Sequence, residues 1–138
     1  MNEQEALRSL AGAEVGRLAT VDPTGHPHLV PFVFVVEGRS IVTVIDNKPK
    51  RTRALKRLAN IAANPRVSVL VDHYETDWSR LWWVRADGQA RVVRTGHELE
   101  RCITLLSRAY PQYAVSHPPG PAIVIEIAKI TGWSAGGH

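Results

Sequence analysis

The stretch Val15-Gly-Arg-Leu-Ala-Thr-Val21, Asp22-Pro-Thr-Gly25, Leu29-Val-Pro-Phe-Val-Phe-Val-Val36 decides the fold. Its first part has the density of apolar and β-branched residues that a pleated, half-buried strand needs, and its last part is a second apolar run. Between them, Asp22-Pro-Thr-Gly25 is turn chemistry: proline presets one backbone angle, aspartate bonds the backbone locally, and glycine accepts positive φ. The reading is a hairpin. Glu37-Gly38-Arg39 then makes another tight connection into Ser40-Ile-Val-Thr-Val-Ile45, which is rich enough in β-branched residues for a buried strand. The expectation is a three-stranded meander.

Working outward, Leu7 and Leu10 behind a possible Asn2 cap predict a short amphipathic helix over residues 3–12. Leu55, Leu58, Ile61 and Ala62 predict a helix over 50–63, which stops at Asn64-Pro65 because the residue before a proline is pushed out of helical geometry. Val67–Val71 and Leu81–Val93 read as strands, with Gly88 at a bulge or turn. Thr95-Gly-His-Glu98 has the form of a capping box. Behind it Leu99, Cys102, Ile103, Leu106 and Tyr110 mark one helical face, and the Pro-rich stretch from Pro111 to Pro121 ends the helix. Ala122–Ala128 gives the last strand. No repeat, low-complexity tract or linker divides the chain, so residues 1–138 form one domain of mainly β (α+β) class, an antiparallel barrel with flanking helices.

Hydrophobic residues at 44% and charged residues at 22% are those of an ordinary globular protein, and no apolar stretch is long enough to cross a bilayer. Residues 1–10 lack the basic start and long greasy run of a signal peptide. The single cysteine, Cys102, has no internal partner for a disulfide and no metal-ligand spacing, so a buried thiol in a reducing cytoplasm is expected. The net charge of +4 points to an anionic partner without naming it.

Lys48, Lys50, Arg51, Arg53, Lys56 and Arg57 stand within ten residues that contain no acid. A helix N-terminus already carries partial positive charge, so cations in its first turn cost stability unless an anion binds there. Free N–H groups, the helix dipole and the side chains would then all address one phosphate or carboxylate. The bland alternative is a solvated basic face. The strand ahead of these cations, Ile41–Ile45, offers flat apolar backbone on which rings could lie, and Pro31, which removes a ladder donor, belongs at an edge, a bulge or a gap facing a ligand.

Gly16-Arg-Leu-Ala-Thr-Val21, Gly25-His-Pro-His-Leu-Val-Pro-Phe32, Lys50-Arg-Thr-Arg-Ala-Leu55 and Asn64-Pro-Arg-Val-Ser-Val-Leu-Val71 together resemble, in order and spacing, the pyridoxamine 5′-phosphate oxidase-like superfamily. Asp77-Trp-Ser-Arg-Leu-Trp-Trp-Val-Arg-Ala-Asp-Gly88 resembles its actinobacterial branch of deazaflavin-dependent enzymes. The resemblance implies a homodimeric split β-barrel with two cofactor sites at the subunit interface. It implies phosphate held by Lys50 and Arg51, and ring contacts from Val30, Pro31, Phe32 and Val33 on the second strand and Val44 and Ile45 on the third, largely through backbone atoms. Lys48, Arg53, Lys56 and Arg57 would meet further anionic groups, such as the glutamate tail of the deazaflavin F420. Flavin mononucleotide (FMN) has no such tail, so F420 is preferred and FMN is the alternative. In the oxidase itself a lysine stands where this chain has Val35, and its C-terminal Trp-and-Arg element has no clear match. Pyridoxal phosphate synthesis is therefore not expected.

Adjacent Trp82 and Trp83 must face opposite sides of a strand, one toward the core and one toward a cofactor or a second subunit; Trp83 is counted among the cofactor candidates, and Trp78 and Trp133 are left without a role. His26 and His28 alternate without a third ligand, so no metal is assigned. His73, Tyr74, Glu75 and Asp77 form a polar loop that could supply an acid, and no catalytic residue is assigned. Nucleophile motif, P-loop and dinucleotide fingerprint are all missing from the sequence, so the chemistry must come from a cofactor acting on a small-molecule substrate. The competing classes, ranked below this one, are a non-catalytic cofactor binder and a single-stranded nucleic-acid barrel in which cations track phosphates and tryptophans stack on bases.

Overall fold

The computed structural model describes residues 1–46 and 51–136, and of residues 51–55 the backbone alone. Lys48 and Lys50 lie outside the described residues, as do the side chains of Arg51 and Arg53. The chain runs α1 (Glu3–Gly12), β1 (Val15–Val21), β2 (Pro27–Val33), β3 (Val35–Glu37), β4 (Ser40–Val44), α2 (Arg51–Ala63), β5 (Arg66–His73), a 3-10 turn (Trp78–Arg80), β6 (Trp82–Val93), α3 (Gly96–Ala109), α4 (Pro111–Val115) and β7 (Ala122–Ser134). The seven strands make one sheet in the order β2-β1-β5-β6-β7-β4-β3, antiparallel throughout. It curls into a split β-barrel with flanking helices.

This order corrects the expected meander. The apolar run Leu29–Val36 is two strands, broken at Phe34, and β2 and β3 lie at opposite edges of the sheet. Phe34 is buried at 2% exposure and its ring stacks on Phe32, with centroids 5.1 Å apart. Its backbone leaves the ladder and is met by Tyr110: the Phe34 N–H donates to the Tyr110 hydroxyl at 3.2 Å, and that hydroxyl donates to the Phe34 carbonyl at 2.5 Å. A side chain 76 residues away thus satisfies the backbone groups that the strand break exposes.

Three further expectations change. The capping box at Thr95 does not form, because Thr95 makes no side-chain cap and Glu98 is taken by Arg91 of β6 through two bonds of 2.6 and 2.5 Å. The Pro-rich stretch opens with α4, which has Pro111 in its first turn, where a missing N–H costs nothing. β7 runs six residues past Ala128, to Ser134, because β6 offers it a matching edge beyond a bulge between Asp87 and Gly88. A Cβ on Gly88 would lie 2.2 Å from the Glu126 carbonyl oxygen, so only glycine fits that bulge.

Other expectations stand. Asn2 caps α1 reciprocally with Glu5, at 2.8 and 3.3 Å. Pro31 lies on an edge strand. Cys102 is buried, and desolvation pushes its thiol pKa up. The barrel interior holds Leu18, Phe34, Ile41, Val69, Val84 and Ile125; a second cluster packs Cys102 and Leu106 of α3 on Val42, Val44 and Val124. α2 is tied to β1 by the buried Asn60–Thr20 hydrogen bond of 3.0 Å. Among the described residues no helix is long and apolar enough to cross a membrane.

Candidate functional site

Where the two sheet edges come round to each other, the end of β2 faces the end of β4, and the Thr43 hydroxyl donates to the Val33 carbonyl at 2.8 Å. At this seam a cavity of about 130 Å³ is lined by Pro31, Phe32 and Val33 of β2, Thr43 and Val44 of β4, Ile45 and Asp46 just beyond it, Arg57 of α2 and Tyr113 of α4. Six of the residues expected at a site from sequence therefore share one cavity: Pro31, Phe32, Val33, Val44, Ile45 and Arg57. A larger hollow of about 570 Å³, lined in part by Glu14, Val15, Tyr110 and Gln112, shares Val33, Asp46 and Tyr113 with the first. The two lie side by side along the seam, with these three residues in the wall of both.

The electrostatics of this cavity centre on Arg57. Its Nε is buried and has no hydrogen-bond partner, and among the described residues no carboxylate lies within ion-pair distance of it. Burial pushes its pKa down, yet a guanidinium remains charged in proteins. A charged, partly buried guanidinium with an unpaired Nε is unfavourable by itself and becomes favourable when an anion or ring carbonyl accepts from its N–H groups. This orphaned donor and the apolar strand surface beside it fit a ligand that joins a flat ring to anionic groups.

Not every expected residue is drawn in. Val30 pairs with Leu18 and packs on the barrel core. Ile45 keeps its buried side chain at the cavity, while its N–H donates to Pro121 and its carbonyl accepts from Gly120, so its backbone is already satisfied. Lys56 turns to Asp22, 3.6 Å away, in the β1–β2 turn. Asp22 itself accepts from Thr24 and from the His26 N–H, and these bonds, the Thr24 hydroxyl first, hold its carboxyl at about 2. Trp83 lines a separate hollow of about 520 Å³ on the outward face of the sheet, with Arg17, Leu29, Leu70, Tyr74 and Arg85, whereas Trp82 packs toward the core. The polar loop after β5 is self-contained: Glu75 contacts His73 and Arg80, and Asp77 caps the 3-10 turn. Tyr113 and Thr43 escaped the sequence reading. Thr43 sits in an ordinary strand pattern, and Tyr113 lies in the Pro-rich stretch read as a terminator.

Comparison with known proteins bears on this geometry. Residues 3–134 match the family described as pyridoxamine 5′-phosphate oxidase. A protein of Streptomyces rimosus, 5a,11a-dehydrotetracycline/5a,11a-dehydrooxytetracycline reductase, is 31% identical over 117 residues, which cover 82% of this chain and 80% of the relative. Crystal structures of several proteins share the fold, two of them as follows. A FAD-binding protein from Mesorhizobium loti has a TM-score of 0.73 at 24% identity, with 96% of this chain and 94% of that one covered. A haem storage protein from Vibrio cholerae has a TM-score of 0.71 at 17% identity, with 96% and 93% covered.

Proposed function

Because the chain belongs to the pyridoxamine 5′-phosphate oxidase family, we propose that it is an oxidoreductase that binds a deazaflavin, F420, at the seam cleft and uses it to reduce an activated carbon–carbon double bond of a small organic substrate. FMN is the alternative cofactor. The observation that carries the proposal is that Arg57, whose Nε is unpaired, lines one cavity with the strand residues that the resemblance gives to the ring. The Streptomyces rimosus relative, by its name a reductase of dehydro-compounds, supports a reductive direction and a double-bond substrate.

When bound, the ring would supply hydride transfer. The protein's part is to hold and orient. Pro31, Phe32, Val33 and Val44 offer the apolar wall against which a ring lies, and Arg57 offers a donor to a ring oxygen or a pendant anion. In this proposal Lys50 and Arg51 hold the phosphate, while Lys48, Arg53 and Arg57 meet the anionic tail that distinguishes F420 from FMN. In this proposal the chain works as a homodimer with the cofactor site at the subunit interface, and the outward sheet face, where Leu29 is 68% and Leu70 36% exposed around the Trp83 hollow, adds apolar ground to that contact. Phosphate binding by the basic cluster is tested by titrating F420 and FMN separately into wild type and into the double variant Lys50→Ala/Arg51→Ala, with fluorescence as readout. The double variant should bind at least roughly tenfold more weakly, with F420 the tighter ligand of wild type. Unchanged affinity would reject the phosphate assignment, and tighter FMN binding would reverse the choice of cofactor.

A further inference from the structure

We propose that Tyr113 is a catalytic residue of the seam cleft, its phenol donating a hydrogen bond to the oxygen of a carbonyl conjugated with the substrate's double bond. The substrate class is then an α,β-unsaturated ketone or a vinylogous equivalent. This inference rests on the reductase reading above and adds to it the group that receives the displaced charge.

Two tyrosines three residues apart are used in opposite ways. The Tyr110 hydroxyl is taken up by the Phe34 backbone and lies 3.0 Å from the Glu14 carbonyl, so it serves the strand break. Among the described residues the Tyr113 hydroxyl has no hydrogen-bond partner, and the residue lines both the small cavity beside Arg57 and the larger hollow that adjoins it. It stands in the wall between the place proposed for a ring and the room left for a substrate. Its position is set from behind. The Tyr113 N–H donates to the Tyr110 carbonyl at 2.9 Å, its own carbonyl lies 2.8 Å from His117 Nδ1, and that nitrogen is also 2.8 Å from the Ser107 hydroxyl. Its ring meets the Tyr110 ring edge-on, with centroids 6.2 Å apart. A held ring with a free hydroxyl is a preorganised donor, since it needs no rearrangement when charge develops in front of it.

The protonation state agrees with that role. Burial first, then the charges of Asp46 and Tyr110, push the Tyr113 pKa up, so the phenol keeps its proton across the neutral range and donates rather than accepts. Asp46, in the same wall, carries a charge of the wrong sign to stabilise a developing oxyanion. Addition of hydride to the β-carbon moves the π pair through the α-carbon onto the conjugated oxygen. The resulting enolate oxygen accepts a stronger bond from the phenol than the ketone did, and a proton from water completes the α-carbon. Because the bond strengthens as the charge forms, its loss falls on kcat more than on KM.

The test uses 4-nitrophenolate, a stable oxyanion on a flat ring, titrated into wild type and Tyr113→Phe with and without F420 or FMN, and followed by its visible absorption band. The variant keeps the ring against Tyr110, so both proteins should melt at the same temperature. Nitrophenolate should bind roughly tenfold or more weakly to Tyr113→Phe. Equal phenolate affinity in the two proteins, or no binding to wild type, overturns the role of Tyr113 even where cofactor binds normally. Failure of both cofactors to bind wild type, with the phenolate difference intact, instead removes the cofactor reading and leaves Tyr113 as an oxyanion donor.

Discussion

The seam cleft and the outward face of β1, β5 and β6 are both hollowed, yet one holds a buried unpaired donor and the other exposes large apolar side chains. On the outward face Asp87 accepts from Ser68 at 2.6 Å and pairs with Arg85 at 3.3 Å, and Leu29, Leu70 and Trp83 line the hollow as apolar ground beside Arg17 and Asp72. In the cleft the Arg57 Nε and the Tyr113 hydroxyl lack protein partners among the described residues. A face that exposes large apolar side chains gains most from apolar cover, which another protein surface supplies. A cleft whose donors are unpaired gains most from a ligand that accepts from them. The difference distinguishes apolar ground suited to a subunit contact from a cleft suited to a ligand on one small domain.

The contrast breaks most visibly on the outward face. Leu70→Asp should raise the protein concentration needed for dimerisation by roughly a hundredfold, because a carboxylate would be buried without a partner. Sedimentation over a concentration series checks this, and an unaltered profile would mean that the face is not the contact. Next in size is Tyr110→Phe, which leaves the Phe34 N–H and carbonyl without their partner and should lower stability by about 2 kcal/mol in denaturant melts. Tyr113→Phe should leave the same melts unmoved, which sharpens the distinction between the two phenols. Arg57→Met should weaken F420 binding about tenfold while leaving the melting temperature level or higher, since it removes an unpaired charge and keeps the bulk. A fall in melting temperature with unchanged affinity would return Arg57 to a structural role.

The smallest effect concerns acid. Asp22 has its pKa lowered from 3.8 to about 2 by Thr24, the backbone at His26 and Lys56, so the folded state favours its charged form. The stability this gives is present above the unfolded value and is lost as pH falls toward about 2. Asp22→Asn should therefore flatten the acid limb of a pH–stability curve between those values and change little near neutrality. An unchanged acid limb would show that the turn does not depend on the charge.

Sequence reading went furthest where structure is decided locally. The reciprocal Asn2–Glu5 cap and the end of α2 ahead of Pro65 need only near neighbours, and each stands where it was expected. It failed where a distant partner intervenes. Nothing local to Phe34 tells of a tyrosine 76 positions on, and nothing in Thr95-Gly-His-Glu98 tells that Arg91 will claim the glutamate. The site divides in the same way. The family resemblance marks Pro31–Val33, Val44 and Ile45, charge marks Arg57, and curling the sheet brings them to one cavity. Tyr113 was not legible, because a tyrosine among prolines carries no periodic signal and its place is set wholly by tertiary packing. Trp83 was legible as a residue with one free face, although the face proved to open on a hollow apart from the seam.

The strand order has a consequence for synthesis. Among the described residues the ladder that joins β3 and β4 to the remaining strands runs through β7. A chain leaving the ribosome therefore holds its sheet as two unjoined fragments, each with a bare hydrogen-bonding margin, until residues 122–134 have emerged to zip them together.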